Sequence, residues 1–127
     1  MTDSILIVAA HPDDEVLGCG GVIARHVDRG DRVGALHLTD GVGSRGDSEQ
    51  QPVIERREAS EAAADILGFE WLERGSFPDN GLDTVALLDV VQFVESVKRA
   101  FDPDLVYTHH GGDLNVDHRI TFQATMT

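Results

Sequence analysis

Runs of apolar side chains mark four predicted strands. Residues 5–10 are apolar throughout and include β-branched side chains, a pattern typical of a strand that is buried on both faces of a parallel sheet. Shorter apolar stretches follow at residues 32–38, 69–72 and 105–108. The pattern therefore predicts four strands separated by longer segments.

Between these strands, apolar residues recur at the three- and four-residue spacing of amphipathic helices. The predicted helices cover residues 16–29, 53–67 and 84–100, and a fourth starts at residue 117. Gly30 and Gly68 stand where a helix-ending glycine is expected. Two polar segments, residues 39–52 and 73–83, predict loops, and the length of the first suggests a functional role.

Strands and helices alternate along the whole sequence. This alternation predicts one α/β domain over residues 1–127, with a Rossmann-like, mostly parallel sheet and helices on both faces. The last predicted helix runs to Thr127 without a stop signal. We therefore expect a chain that is incomplete at its C-terminus, or a helix that packs on a partner, which leaves a homo-oligomer open.

The charge of the sequence narrows the range of partners. The 127 residues carry a formal net charge of −13, from 10 Lys and Arg against 23 Asp and Glu. Such a surface repels phosphate backbones and anionic membranes, so nucleic acid is not an expected partner. The sequence also lacks the run of about 20 apolar residues that a membrane span requires.

Cys19 is the single cysteine, so no intramolecular disulfide can form, which is typical of a reducing compartment. Its position between Gly18 and Gly20 favours a small buried thiol over a nucleophile. The first four residues lack the basic region of a signal peptide. We therefore expect a cytoplasmic protein.

A dense polar cluster, Ala10-His11-Pro12-Asp13-Asp14-Glu15, follows the first predicted strand. Clustered carboxylates are costly to desolvate without a cation, and Zn²⁺ accepts both imidazole nitrogen and carboxylate oxygen. We expect His11 and Asp14 to bind the metal and Asp13 to act as general base on a water molecule. The alternative interpretation is a solvated turn whose acidic residues favour a helix N-terminus.

A second polar cluster, residues 109–118, follows the fourth predicted strand. Ligands of open parallel sheets bind beyond the carboxyl ends of the strands, so the two clusters are expected to meet there. His118 is the expected third metal ligand. The alternative interpretation is a glycine-rich loop with solvated histidines.

Both clusters resemble motifs of the LmbE/PIG-L family of zinc-dependent N-acetylglucosamine deacetylases. Residues 10–15, with the following Leu17-Gly18-Cys19-Gly20-Gly21, resemble the opening signature, and Asn115-Val116-Asp117-His118 resembles the family's His-Pro-Asp-His motif. Residues 39–41 and 55–68 also fall where the family has similar segments. The resemblance implies a hydrolase that removes an acetyl group from an amino-sugar substrate.

By position in these motifs, His11, Asp14 and His118 would bind Zn²⁺, with Fe²⁺ as an alternative native metal, and Asp13 would be the general base. The resemblance also implies a substrate contact from Arg56 or Arg57. The sequence departs from the family at Asn115, which replaces a histidine. Asparagine can donate a hydrogen bond to an oxyanion but cannot carry a proton.

His109 or His110 is therefore expected to supply the proton, with Asp113 or Asp117 orienting the imidazole. The expected catalytic residues are Asp13 and Asn115, and the expected substrate contacts are Arg56, His110 and Asp117.

Three alternative functions follow from the same residues. Dinucleotide binding is disfavoured because the glycines at residues 18–21 do not continue to a glycine at Ile23 and because the acidic motif would repel a pyrophosphate. A non-catalytic zinc- or carbohydrate-binding module and a zinc amidase for a non-sugar amide both remain open.

Overall fold

The computed structural model describes residues 2–41 and 50–127. The strands are β1 (Ser4–Ala9), β2 (Arg32–Thr39), β3 (Glu70–Phe77) and β4 (Leu105–Tyr107). The helices are α1 (Asp14–Asp28), α2 (Gln50–Leu67), α3 (Leu87–Phe101) and α4 (Val116–Met126), with a 3₁₀ turn at Leu82–Thr84. None of these helices is both long and apolar enough to cross a membrane.

The four strands form one parallel sheet in the order β3-β2-β1-β4. In its centre, Ile5 of β1 pairs with Val33 of β2 on one side and with Leu105 of β4 on the other. The predicted parallel α/β fold is therefore confirmed. Because every strand runs in the same direction, the segments that follow β1 and β4 leave the sheet at the same edge.

Helices cover both faces of the sheet, which explains the continuous apolar run of β1. On one face, Leu6 and Val8 pack with residues of α3 and α4. On the other, Ile5 and Ile7 pack with Ile23 of α1 and with apolar residues of α2. Successive strand residues point to opposite faces, so a strand between two helical layers requires apolar side chains at every position.

Strand β3 corrects the predicted strand and loop boundaries. The apolar pattern predicted a strand at 69–72 and a loop from residue 73, whereas β3 continues to Phe77. Strand β3 lies at an edge of the sheet, where polar residues such as Glu73 and Ser76 stay exposed. Its hydrogen bonds to β2 hold it in place without the apolar pattern of a central strand.

Helix boundaries differ from the predictions by a few residues. Helix α1 begins two residues earlier than predicted, α2 begins at Gln50 and α3 begins at Leu87, after the 3₁₀ turn. Residues 42–49, which belong to the predicted loop at 39–52, lie outside the described residues.

Cys19 interrupts the helical geometry of α1 with φ −146° and ψ 25°. The residue is half-buried against the core rather than fully buried. Burial, with a smaller contribution from the negative charge of Glu15, raises the pKa of its thiol to about 11. The thiol therefore stays protonated at neutral pH, as expected for a packing residue rather than a nucleophile.

Candidate metal centre

The two polar clusters meet at the carboxyl edge of the sheet. His11 follows β1, Asp14 opens α1 and His118 lies in the first turn of α4. Each offers one ligand atom, and these three atoms lie within 4.8 Å of one another. The structure thus brings together the three residues that the sequence predicted as metal ligands.

A tight turn after β1 positions the first two of these residues. The backbone N–H groups of Asp13 and Asp14 both donate to the carbonyl oxygen of His11, at 2.9 and 3.2 Å. The Oδ2 atom of Asp14 in turn accepts the backbone N–H of His11 at 2.9 Å. The same oxygen lies 3.1 Å from Nδ1 of His11 and 3.2 Å from Nε2 of His118, between the two imidazoles.

Both imidazoles use their second nitrogen to contact another carboxylate. Nε2 of His11 lies 2.9 Å from Oδ2 of Asp117 and 3.2 Å from Oδ1 of Asp79. Nδ1 of His118 lies 2.9 Å from Oδ2 of Asp113. Metal-binding histidines almost always donate their remote N–H in this way, because it sets the tautomer and the ring orientation. The donor set therefore fits a divalent cation.

The charges of the clustered side chains also favour a bound cation. Burial opposes protonation of His11, but its hydrogen bonds to Asp14 and Asp117 outweigh this effect and raise its pKa to about 9. For Asp14, burial favours the neutral form, whereas His11 and His118 lower the pKa of the carboxyl below its ordinary value. The carboxylates that stabilise a proton on His11 would also attract a cation held by the cluster.

Asp117 corrects one prediction, because its side chain is fully buried. Besides His11, its carboxylate accepts the backbone N–H groups of Asn80 at 2.7 Å and Leu82 at 3.1 Å. These contacts occupy the carboxylate that was expected to touch the substrate. Asp117 therefore positions His11 and ties the start of α4 to the segment that follows β3.

Asp79 belongs to the cluster and was missed by the sequence analysis. It follows the end of β3 by two residues, and its Oδ1 atom reaches Nε2 of His11 at 3.2 Å. Together with Asp117 it could form a second set of metal-binding atoms around His11. In the sequence, Asp79 lies in the turn-forming segment Pro78-Asp79-Asn80-Gly81. This segment predicted a loop but gave no indication of a contact with His11.

Asp13 lies at the mouth of this arrangement. Its side chain is 42% exposed, and its Oδ2 atom accepts a hydrogen bond from Nη1 of Arg56 at 3.2 Å. Asp13 and Arg56 line a cavity of about 290 Å³ together with the three predicted metal ligands. A carboxylate thus faces the space that a substrate would enter, and Arg56 rather than Arg57 is the arginine that reaches it.

Asn115 caps helix α4. Its side-chain oxygen accepts the backbone N–H groups of Asp117 at 2.9 Å and His118 at 3.2 Å. Asparagine is among the most favourable N-cap residues, so the departure from the family's histidine has a structural use here. Because the side-chain oxygen already accepts these two hydrogen bonds, Asn115 can contact a substrate through its amide NH₂ group. The residue lines the cavity of the metal centre.

His109 is a neutral packing partner of His118. The two rings stack with centroids 3.9 Å apart and an interplanar angle of 12°. Nε2 of His109 accepts the backbone N–H of Ala10 at 2.9 Å. Burial and the nearby charge of His118 lower the pKa of His109 to about 4, so it carries no proton on Nε2 at neutral pH.

His110 lies on the surface beside a different cavity, of about 360 Å³. Its Nδ1 atom accepts the backbone N–H of Gly112 at 2.9 Å. Of the two carboxylates expected to orient His109 or His110, Asp113 contacts the ring of His118 and Asp117 contacts the ring of His11.

Known proteins with similar sequences include one named as a deacetylase and one named as a hydratase. The uncharacterized deacetylase YaiS of Escherichia coli K12 is 34% identical over 127 residues, which cover 96% of this chain and 65% of that protein. The 4-oxalmesaconate hydratase of Pseudomonas putida is 33% identical over 128 residues, covering 91% of this chain and 47% of that protein.

A solved structure with a similar fold is the N,N'-diacetylchitobiose deacetylase of Pyrococcus horikoshii, with 26% identity and a TM-score of 0.80. The match covers 98% of this chain and 48% of that one. The chain thus spans roughly half to two thirds of the length of these relatives. The model of the PIG-L family, described as GlcNAc-PI de-N-acetylase, matches residues 6–127. The chain therefore belongs to the PIG-L family.

Proposed function

We propose that the chain carries the metal centre of an N-deacetylase that hydrolyses the acetamide of an N-acetylglucosamine-type sugar or its conjugate. The observation that carries the proposal is the position of Asp13, which lines the same cavity as His11, Asp14 and His118. A carboxylate beside three convergent metal-binding groups is the arrangement that hydrolytic activation of water requires.

His11, Asp14 and His118 would hold the ion, which we propose to be Zn²⁺, with Fe²⁺ as the alternative. Imidazole and carboxylate ligands suit both metals. The ion supplies Lewis acidity to the amide carbonyl and lowers the pKa of a water molecule. Asp117 and Asp113 hold the two imidazoles in the orientation that this requires.

Asp13 would take the proton from the attacking water, while its hydrogen bond from Arg56 keeps the carboxylate turned into the cavity. The negative charge that develops on the carbonyl oxygen would receive a hydrogen bond from the amide NH₂ of Asn115. Because Nε2 of His109 is engaged by Ala10, we propose that Asp13 itself returns the proton to the leaving amine.

Substrate contacts from Arg56 and His110 complete the proposal. Arg56 lines the cavity beside Asp13 and is well placed to bind a hydroxyl of the sugar. His110 would contact the part of a larger conjugate that extends past the exposed loop after β4.

A cytoplasmic location is supported by the use of a single cysteine.

The hydratase relative defines a second candidate, since addition of water to a carbon–carbon double bond also uses an activated water molecule.

The test is to supply the chain with Zn²⁺ or Fe²⁺ and to measure acetate release from a panel of N-acetylglucosamine derivatives and simple acetamides. Hydration of an unsaturated oxo-tricarboxylic acid of the kind named for that relative is followed in parallel by absorbance.

Acetate released only from the sugars supports the proposal, and release from simple acetamides as well would indicate an amidase of wider specificity. Hydration without acetate release would assign the second candidate. Metal and sugar binding without either reaction would leave a binding module.

A further inference from the structure

A third cavity, of about 220 Å³, lies beside the metal centre and is lined by three arginines, Arg56, Arg57 and Arg74, together with His37. Arg56 also lines the cavity of the metal centre, so the two spaces adjoin at this side chain. Three of the ten basic residues of a strongly acidic chain therefore converge at one place. Asp40 lines the same space and offsets part of the positive charge.

The sheet itself brings two of these residues together. His37 of β2 and Arg74 of β3 are register partners on adjacent parallel strands, so their side chains emerge side by side on the same face. The register shifts on both sides of this pair. At the following residue, Gly75, a Cβ atom would lie 2.4 Å from the carbonyl oxygen of Leu38, so the two strands can approach this closely only at a glycine.

Arg74 is held in a fixed position but is incompletely neutralised. Its side chain is 18% exposed, its guanidinium lies 5.0 Å from the ring centroid of Trp71, and Nη1 donates to Oγ of Ser60 at 2.9 Å. The nearest carboxylate oxygen with which it pairs, on Glu61, is 3.7 Å from Nη2. Burial, and then the positive charge of Arg57, lower its pKa. A guanidinium destabilised in this way gains from a nearby anion.

His37 supplies an independent indication that a ligand belongs here. The residue is 4% exposed, and its Nδ1 atom has no hydrogen-bond partner among the described residues. Burial and the charge of Arg74 lower its pKa to about 4, so the ring is neutral at physiological pH. Buried polar atoms are rarely left unpaired, and a bound water molecule, ion or ligand group is one of the explanations for such an atom.

We propose that this cavity binds an acidic group of the substrate, a carboxylate or a phosphate, through Arg57 and Arg74, while the acetamide lies at the metal centre. The planar guanidinium groups match the oxygen geometry of both kinds of anion. The link to the substrate rests on the proposed deacetylase function. The binding of an acidic group by the cavity is independent of that function and can be measured separately.

The test is a titration of the full chain without added metal, since phosphate and carboxylates would otherwise also bind the ion. The probes are inorganic phosphate and malonate, with methyl N-acetylglucosaminide as the neutral control. Trp71 is the single tryptophan of the sequence and packs against both Arg74 and His37, so its fluorescence reports on the cavity. Calorimetry gives the affinity independently.

Arg57→Gln and Arg74→Gln should each weaken binding of the preferred anion about tenfold, as expected for loss of one charge-assisted contact. Arg99→Gln is the matched control, because Arg99 also pairs with a glutamate one helical turn away but lies on α3. Arg57 is 65% exposed, so its variant should fold even if that of Arg74 does not.

Two outcomes would overturn the inference: neither anion binds, or all three variants bind as tightly as the parent chain. The stronger of the two probes identifies the acidic group as phosphate or carboxylate. If anion binding depends on Arg57 while no sugar releases acetate, the cavity assignment stands and the deacetylase proposal fails. If neutral sugars release acetate and neither anion binds, the deacetylase proposal stands and the cavity assignment fails.

Discussion

The Oδ2 atom of Asp117 lies 2.9 Å from Nε2 of His11, although 106 residues separate the two in the sequence. This contact joins the turn after β1 to the first turn of α4. It leaves the other imidazole nitrogen, Nδ1, directed to Asp14, and thereby sets which atom of His11 would face an ion held together with Asp14. The buried carboxylate thus determines the geometry of a residue that belongs to the opposite end of the chain.

Replacement of Asp117 by Asn should weaken metal binding by about 10- to 100-fold, the usual cost of losing a partner that orients a metal-binding histidine. The amide oxygen can still accept one of the two backbone N–H groups that Asp117 binds, so much of the fold should persist. Competition with a chelator of known affinity measures the effect. Asp104→Asn is the control, because Asp104 accepts a backbone N–H from Ser4, far from the metal centre. Equal metal affinity in the parent and Asp117→Asn would contradict the role assigned to Asp117.

Replacement of Asp13 by Ala should reduce acetate release at least about 100-fold, because general base catalysis typically contributes this much. Metal content, measured by atomic absorption, should stay unchanged because Asp13 is not among the converging ligand atoms. Asp65→Ala, an exposed position on α2, serves as the control. A fully active Asp13→Ala variant would remove Asp13 from the mechanism, and loss of the metal would make it a ligand.

Asn115 allows its two roles to be separated by a pair of substitutions. Asn115→Ser should keep most of the stability, since serine also caps a helix, but should lower acetate release about tenfold or more because the amide donor is lost. Asn115→Ala should in addition lower the free energy of unfolding by about 1 kcal/mol. Urea denaturation and acetate assays of both variants check this. If Asn115→Ser retained full activity, the amide group would have no part in the reaction.

The pKa of His11 predicts how pH affects the metal-free chain. Its value of about 9 lies above the ordinary 6.5, so the folded state binds the proton more tightly than the unfolded state. The stabilisation is fully present below pH 6.5 and is lost as the pH rises towards 9. Urea denaturation between pH 6 and about 10 should therefore show falling stability that is weaker in His11→Asn. The exposed His110 provides the control as His110→Asn. An identical pH profile for the parent and His11→Asn would contradict the assignment.

The sequence predicted the elements that lie at the centre of the fold more accurately than those at its edge. Strand β1 is apolar at every position because helices cover both of its faces, and this run was interpreted correctly. Strand β3 contains Glu73, Arg74 and Ser76 and was predicted to end too early. An edge strand is held by backbone hydrogen bonds to one neighbour, so its side chains need not follow an apolar pattern.

The sequence by itself determined the parallel α/β fold and the meeting of His11, Asp14 and His118, because parallel strands bring the segments after β1 and β4 to one edge. Tertiary structure alone decided how their partners are arranged. The contact of Asp79 with His11, the burial of Asp117 and the pairing of His37 with Arg74 each depend on strand register and on packing between distant segments. Strand register and packing between distant segments leave no pattern in the neighbouring sequence, because a turn or an edge strand with the same residues could equally well face solvent.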